Sequence, residues 1–225
     1  MTSICATPLK GRVIRLIKLD VCGNPVTGAS SAVVVMDGFI SMKATPQFED
    51  GTTYIKKRAD GLLCVNQMDP SQMKWVDLDG DWCVMDPDAI VLMNGARLIS
   101  QSATGTGAIF NNITTVNQHF SLEIWQEVAG AGACNAAGIQ QFIYWAFPNV
   151  FNARVQDFTA EQDALEWKEQ ATALASVSTR WGSLPTANPP SSYLSGSSFT
   201  TGDVYGYNLT TTPPPAASCG AVLLA

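Results

Sequence analysis

The chain has 225 residues and a formal net charge of −6, which suits one domain, or one domain with an arm, able to bury a core without metal or disulfide. Charged residues are only 14% of it, against roughly 25% in an average soluble protein, and the missing charge points to a large partner interface. The acidic balance argues against a grip on duplex DNA through neutralised phosphates, though not against a repulsive channel for nucleic acid. No apolar run approaches the roughly 20 residues of a membrane helix, so membrane insertion is not expected.

The chain start, Met1 to Lys10, lacks a basic region followed by an apolar stretch, which predicts synthesis and use in a cytoplasm. Strand signals dominate the rest of the chain. Arg12–Val21 is rich in Val, Ile and Leu and stops at the turn Cys22-Gly23-Asn24-Pro25. Ser31–Met36 is β-branched and apolar, and Asp37-Gly38 marks the next turn. Phe39, Ser41, Lys43 and Thr45 alternate with Ile40, Met42 and Ala44 at the period of a strand. Pro46 belongs at an edge or bend, since it has no N–H for a ladder. Thr52–Arg58 and Leu62–Gln67 flank Ala59-Asp60-Gly61 and predict a hairpin.

Lys74–Val84 is a further strand. One helix has both ends marked: Asp86 as N-cap, Pro87 in the first turn, and Asn94-Gly95 as the stop. Later strand candidates are Arg97–Gln101, Gln118–Val128, Gln140–Phe147, Arg154–Phe158 and Glu166–Leu174. Thr159–Ala175 opens with helix formers, and its later half reads as strand. Residues 1–185 are read as one β domain. Residues 186–225 are rich in Pro, Ser, Thr and Gly, hold one charge (Asp203), and read as an arm held down by a neighbouring subunit.

Little chemistry is supplied. Asp77, Asp79, Asp81, Asp86 and Asp88 form the densest acidic cluster. A calcium loop starting at Asp77 would need Gly and Glu where Trp82 and Asp88 stand. With period two, Asp77, Asp79 and Asp81 share one face of a strand as a solvated or channel-facing strip. His119 is the only histidine, and no Gly-x-Ser-x-Gly elbow exists. Cys5, Cys22, Cys64, Cys83, Cys134 and Cys219 are scattered without zinc spacing and read as free thiols. Gly105 and Gly107 lack the partners of a phosphate loop. Lys56 and Arg58 point opposite to Lys57 on a strand and read as edge guards. No catalytic residue, metal or cofactor is expected.

A set of short motifs nevertheless stands in order across residues 10–185. They are Phe48-Glu49-Asp50-Gly51, Lys57-Arg58-Ala59-Asp60-Gly61-Leu62-Leu63-Cys64, Asp86-Pro87-Asp88-Ala89 with Asn94-Gly95, Trp145-Ala146-Phe147-Pro148 and Trp181-Gly182-Ser183-Leu184-Pro185. In these the sequence resembles the major tail tube proteins of long-tailed bacteriophages of actinobacteria. Leu184 stands where the family pattern tends to have a second Gly.

The resemblance implies a mainly β subunit, a sandwich or barrel with one short flanking α-helix, whose strands join a ring-wide β-barrel. It implies six copies per ring and rings stacked into a tube in the virion tail, assembled in the host cytoplasm. Its partners would be tape measure, tail terminator and baseplate proteins, and DNA would pass without specific binding. The expected lumen-facing acids are Asp77, Asp79 and Asp81. The expected contacts between rings are Phe48, Glu49, Asp50 and Asp60. Two other classes compete: a virion β-module binding glycans through Trp75, Trp82, Trp125 or Tyr144, and a carboxylate hydrolase.

Overall fold

The structure is a computed structural model that describes residues 7–27, 32–84, 86–101, 104–112, 118–156, 166–182, 189–195 and 197–221. The fold is mainly β. Strands β1 (Thr7–Leu19), β2 (Val33–Met36), β3 (Phe39–Glu49), β4 (Thr53–Lys57), β5 (Leu63–Met68) and β6 (Gln72–Trp82) precede helix α1 (Pro87–Asn94). Then come β7 (Arg97–Gln101), β8 (Thr104–Ile109), β9 (His119–Ala129), β10 (Phe142–Val155), β11 (Trp167–Ala173), the one-turn helix α2 (Pro190–Tyr193) and β12 (Gly206–Thr210).

The main sheet runs β2-β1-β9-β10-β11-β6-β3, with β12 also on β10, and β4-β5 and β7-β8 form separate ribbons. All the pairings are antiparallel. The path ends at β2 and β3, so no closed barrel forms among the described residues. The sheet does curl until β3 meets β1. A Cβ added at Gly11 of β1 would lie 1.9 Å from the Phe39 ring, so glycine here leaves room for that ring to lie against β1.

β10 makes the bend. Its first half pairs with β12 (Phe142↔Thr210 to Ala146↔Gly206), and its second half pairs with β11 from Val150 onward. Between them Pro148 and Asn149 oppose a single residue of β9, a bulge at the register shift from Phe147 to Val150. Pro fits there because it has no N–H for the ladder. Asn149 secures the corner: its Nδ2 donates to the Ala175 carbonyl at 3.0 Å, and its backbone carbonyl accepts from Leu174 N–H at 2.8 Å.

Two cores result. Inside the curl, Ile14 and Leu16 of β1, Leu122 of β9, Val150 of β10 and Leu78 of β6 pack against Ala89, Ile90, Leu92 and Met93 of α1. On the opposite face of β1, β9 and β10, Val13, Ile17, Trp125 and Tyr144 are covered by Trp181, Tyr193, Leu194 and Phe199. β1 is therefore buried on both faces, which is why Arg12–Val21 reads as a nearly continuous apolar run.

The second core holds one ion pair. Arg15 donates through Nε and Nη2 to Glu123, and the Tyr144 hydroxyl donates to the same carboxylate. The guanidinium lies 5.4 Å from the Trp125 ring centroid and 5.6 Å from that of Tyr193. Burial opposes the Arg15 charge, but Glu123 beside it holds its pKa above the ordinary value, and burial pushes Tyr193 up to about 12.

Residues 189–221 are thus tied to their own chain. Tyr193 packs on Trp125 and Tyr144, β12 extends β10, Ser218 N–H donates to Val35 at 3.0 Å, and Gly220 and Ala221 N–H donate to Asp86 and Asp88 at 2.8 and 3.1 Å. The composition of the segment predicts that a neighbouring subunit holds it. The chain fills that role itself because the segment's few large apolar side chains complete a core that β1, β9 and β10 leave half covered.

Two other differences from expectation have local causes. Gln140–Phe147 and Arg154–Phe158 predict two strands; Phe142–Phe147 and Arg154–Val155 belong to one strand, β10, because Pro148 makes a bulge rather than a stop, while residues 157 and 158 lie outside the described residues. β8, α2 and β12 lie outside the expected set, since Gly-rich and Pro- and Ser-rich segments carry no periodicity. Residues 159–165 of the helix-former stretch lie outside the described residues, while its later half is β11.

Glu169 of β11 faces the inner core. Asn94 of α1 donates to its Oε1, and Oε2 has no hydrogen-bond partner among the described residues. Burial raises its pKa to about 8, partly offset by the Asn94 bond. The folded chain therefore holds this proton up to about pH 8, while the unfolded chain releases it near 4.5. Stability contributed here falls as pH rises through that window. Glu169→Gln should melt higher than wild type at pH 8 by calorimetry, with the gap closing as pH falls to 4.5. For the ion pair, Arg15→Met should destabilise by about 3–5 kcal/mol by leaving a buried carboxylate alone. Arg15→Met with Glu123→Leu should recover most of that in denaturant titrations.

Candidate functional site

β6 places Asp77, Asp79 and Asp81 on one face, alternating with buried Val76, Leu78, Gly80 and Trp82. Each carboxylate is held by a neighbouring strand: Asp77 accepts from Gln47 at 2.9 Å, Asp79 from Gln170 at 3.1 Å and Asp81 from Ser41 at 2.7 Å. The ladders put Lys43 beside Asp79 and Lys168 beside Asp81, with Arg154 beside Gln170. The strip predicted as acidic is therefore part of a polar face that also carries Lys43, Arg154 and Lys168. The sequence shows the aspartates at period two. It does not show the cations, which come from other strands.

The second feature lies beyond the end of the β3–β6 ladder at Glu49↔Gln72. β4 and β5 pair with each other and, among the described residues, with no other strand, and all of their residues are exposed. Tyr54, Ile55, Leu62, Leu63, Val65 and Met68 are all at least 40% exposed. At the tip, Arg58 N–H donates to Leu62, Gly61 N–H to Arg58, and Leu62 N–H to the Asp60 side chain at 3.0 Å. Asp60 thus shapes the turn.

Phe48 is 59% exposed, and Glu49 pairs with Lys74. Asp50 and Gly51 form the joint between ladder and hairpin. A Cβ on Gly51 would sit 1.8 Å from the Asp69 carbonyl oxygen, so the chain crosses itself there only as glycine. The expected contact residues Phe48, Glu49, Asp50 and Asp60 accordingly lie on one projection, at its base, joint and tip.

The third feature is a pocket of about 650 Å³ where β3 curls over β1, framed by Phe39, Ile40, Met42, Ala44, Trp145 and Tyr205. A β-bulge between Phe39 and Ser41 leaves Ile40 half exposed at its mouth. No sequence signal marks this pocket, because its walls come from β1, β3, β9, β10 and the C-terminal segment.

Asp86 caps α1, accepting from Asp88 N–H at 2.9 Å, with Pro87 in the first turn and Gly95 N–H closing the helix onto Val91. Its other oxygen takes Gly220 N–H, a role invisible in the local sequence. His119 Nδ1 lies 2.9 Å from Asn149 Oδ1, and its ring stacks on Phe151. Among the described residues no group of three or more His, Cys, Asp and Glu is placed to hold a metal. Cys22, Cys64, Cys83, Cys134 and Cys219 are free thiols on the surface.

Of the aromatic platforms considered for glycans, Trp82, Trp125 and Tyr144 are buried at 2%, 0% and 0% exposure. They serve the cores, and Trp75 alone of the four reaches solvent, with Lys74 over its ring.

An exposed basic hairpin is the first target of a protease. Trypsin should cut the free subunit first after Lys56, Lys57 or Arg58 and leave a folded body. Mass spectrometry of the early fragments checks this. Gly51→Ala should shift the hairpin's base without changing the melting of the body, as heteronuclear NMR shifts confined to residues near the joint would show.

The chain matches no family model and no curated protein.

Proposed function

We propose that this chain is the structural subunit of a phage tail tube: six copies form a ring, and rings stack into the conduit through which the genome leaves the virion. The observation that carries the reading is the β4–β5 hairpin. It holds apolar side chains on both faces, pairs with no other strand among the described residues, and stands on a joint that admits only glycine. A two-stranded ribbon is marginal in water by itself, so this one is built to be covered by another molecule. The ordered motifs shared with tail tube proteins support the same conclusion, as does the low charge of the chain.

In the tube, the outer face of β3, β6 and β11 lines the bore, and neighbouring subunits continue the open sheet into a ring-wide barrel. Asp77, Asp79 and Asp81 cancel Lys43, Arg154 and Lys168, so the wall offers phosphate no net positive charge to condense on. Tape measure, terminator and baseplate proteins are the partners in the virion tail, assembled in the host cytoplasm. The reading assigns no catalytic residue and no cofactor.

Electron micrographs of the purified full chain should show hollow tubes with six-fold end views. A monodisperse monomer at high concentration would overturn the proposal. Deleting residues 53–68 should leave a folded body that makes no tubes. For the bore, Asp77→Asn, Asp79→Asn and Asp81→Asn together leave three cations unopposed. Particles carrying them should eject DNA more slowly at low salt and regain the normal rate near 1 M, where screening acts within about 3 Å. Equal rates at all salt concentrations would remove the bore assignment.

A further inference from the structure

We propose that residues 213–221 form a removable strap that guards the β2 edge of the sheet and holds the free subunit back from assembly. The inference rests on the self-assembly reading, in which the open sheet continues from copy to copy, and adds the device that controls it. Three observations lead to it.

First, β2 is an edge that invites pairing. Its residues, Val33 to Met36, are all apolar, and among the described strands it pairs with β1 alone. Lys18 N–H donates to the Ala32 carbonyl, so by the alternation of an antiparallel ladder Val33 and Val35 turn their backbone groups away from β1. Such an edge templates the addition of another strand unless something covers it.

Second, the strap sits on that edge and satisfies little of it. Ser218 N–H donates to the Val35 carbonyl at 3.0 Å, the one backbone bond to the outer edge of β2 among the described residues. Pro213, Pro214 and Pro215 carry no N–H, so the strap does not run along β2 as a further strand. A strand from a second copy bonds both Val33 and Val35 where the strap bonds one. That difference in bonding is what lets assembly displace the strap.

Third, the strap opens without undoing the body. Tyr193, Phe199, Val204 and Thr210 are buried, whereas none of residues 211–221 is, and of these only Ala221 packs against a core. The far end is held by a polar latch, with Gly220 N–H on Asp86 at 2.8 Å and Ala221 N–H on Asp88 at 3.1 Å. Gly220 reaches it at a φ of 85°, a conformation that favours glycine. A segment latched through three backbone N–H groups, with little apolar contact, belongs to the part of a structure that opens first.

A guarded subunit assembles only from its open fraction, so the guard raises the critical concentration by the inverse of that fraction. The test compares the full wild-type chain with the full chain carrying Ser218→Pro and Gly220→Pro. These remove two of the three latching N–H groups, and Pro at 220 needs a φ of about −65°. Calorimetry checks that the body still melts as in wild type. Pelleting should give a critical concentration at least tenfold lower for the variant, with normal tubes in micrographs. Hydrogen exchange on wild type needs no variant and decides the matter should the variant melt early. On assembly the amides of Ser218, Gly220 and Ala221 should lose protection, and those of Val33 and Val35 should gain it.

An unchanged or higher critical concentration in a variant whose body melts normally overturns the inference. So do strap amides that stay protected in wild-type tubes. Tube formation by wild type stands in both cases. If wild type forms no tubes at high concentration, the self-assembly reading fails and this inference with it.

Discussion

A proline inside a fourteen-residue strand sets the shape of this protein. Pro148 cannot donate to a ladder, so β10 bulges there and changes partner, from β12 on one side of the bulge to β11 on the other. The bend lets one continuous sheet curl over its own helix until Phe39 rests on Gly11. The inner core, the open edge at β3 and the pocket beneath it all derive from that corner. Asn149, tied to Ala175 and Leu174, keeps the corner from straightening.

The curl leaves one face of β1, β9 and β10 outside, and the C-terminal segment closes it. That segment is almost uncharged and carries few large apolar residues, yet those few sit where they close the core: Tyr193 on Trp125 and Tyr144, and Phe199 on Trp181. The Arg15–Glu123 pair beneath them is costly to bury, and its orientation is fixed by the Tyr144 hydroxyl and two aromatic faces. It forces the segment to dock in one register, because a slipped Tyr193 would leave the guanidinium without its second ring. The end of the segment is fixed separately, by two aspartates that also serve the start of α1.

Three surfaces are left over after both cores are filled. The hairpin, the pocket and the polar face of β6 lie along one pair of long strands, and Ser41 belongs to the last two, lining the pocket and donating to Asp81. The same long strands present hydroxyl, amide and balanced charge to a third direction. One rigid element, the β3–β6 ladder, thus fixes the relation among all three surfaces.

Where local chemistry decides structure, the sequence was legible. Asp86-Pro87 and Asn94-Gly95 bound α1 because caps act over a few residues. The turn at Asp60-Gly61 sets the hairpin because Gly tolerates φ > 0, and the period-two aspartates of β6 share a face because strands alternate. The motif Phe48-Glu49-Asp50-Gly51 marked the joint, though the reason for its glycine, the Asp69 carbonyl, lies far along the chain. Tertiary structure alone decided the rest. The cations that share the face of Asp77, Asp79 and Asp81 come from β3, β10 and β11, the second role of Asp86 comes from Gly220, and the pocket has walls from separate parts of the chain. Pairing across such distances depends on which strand lies beside which, and a one-dimensional pattern carries no term for that.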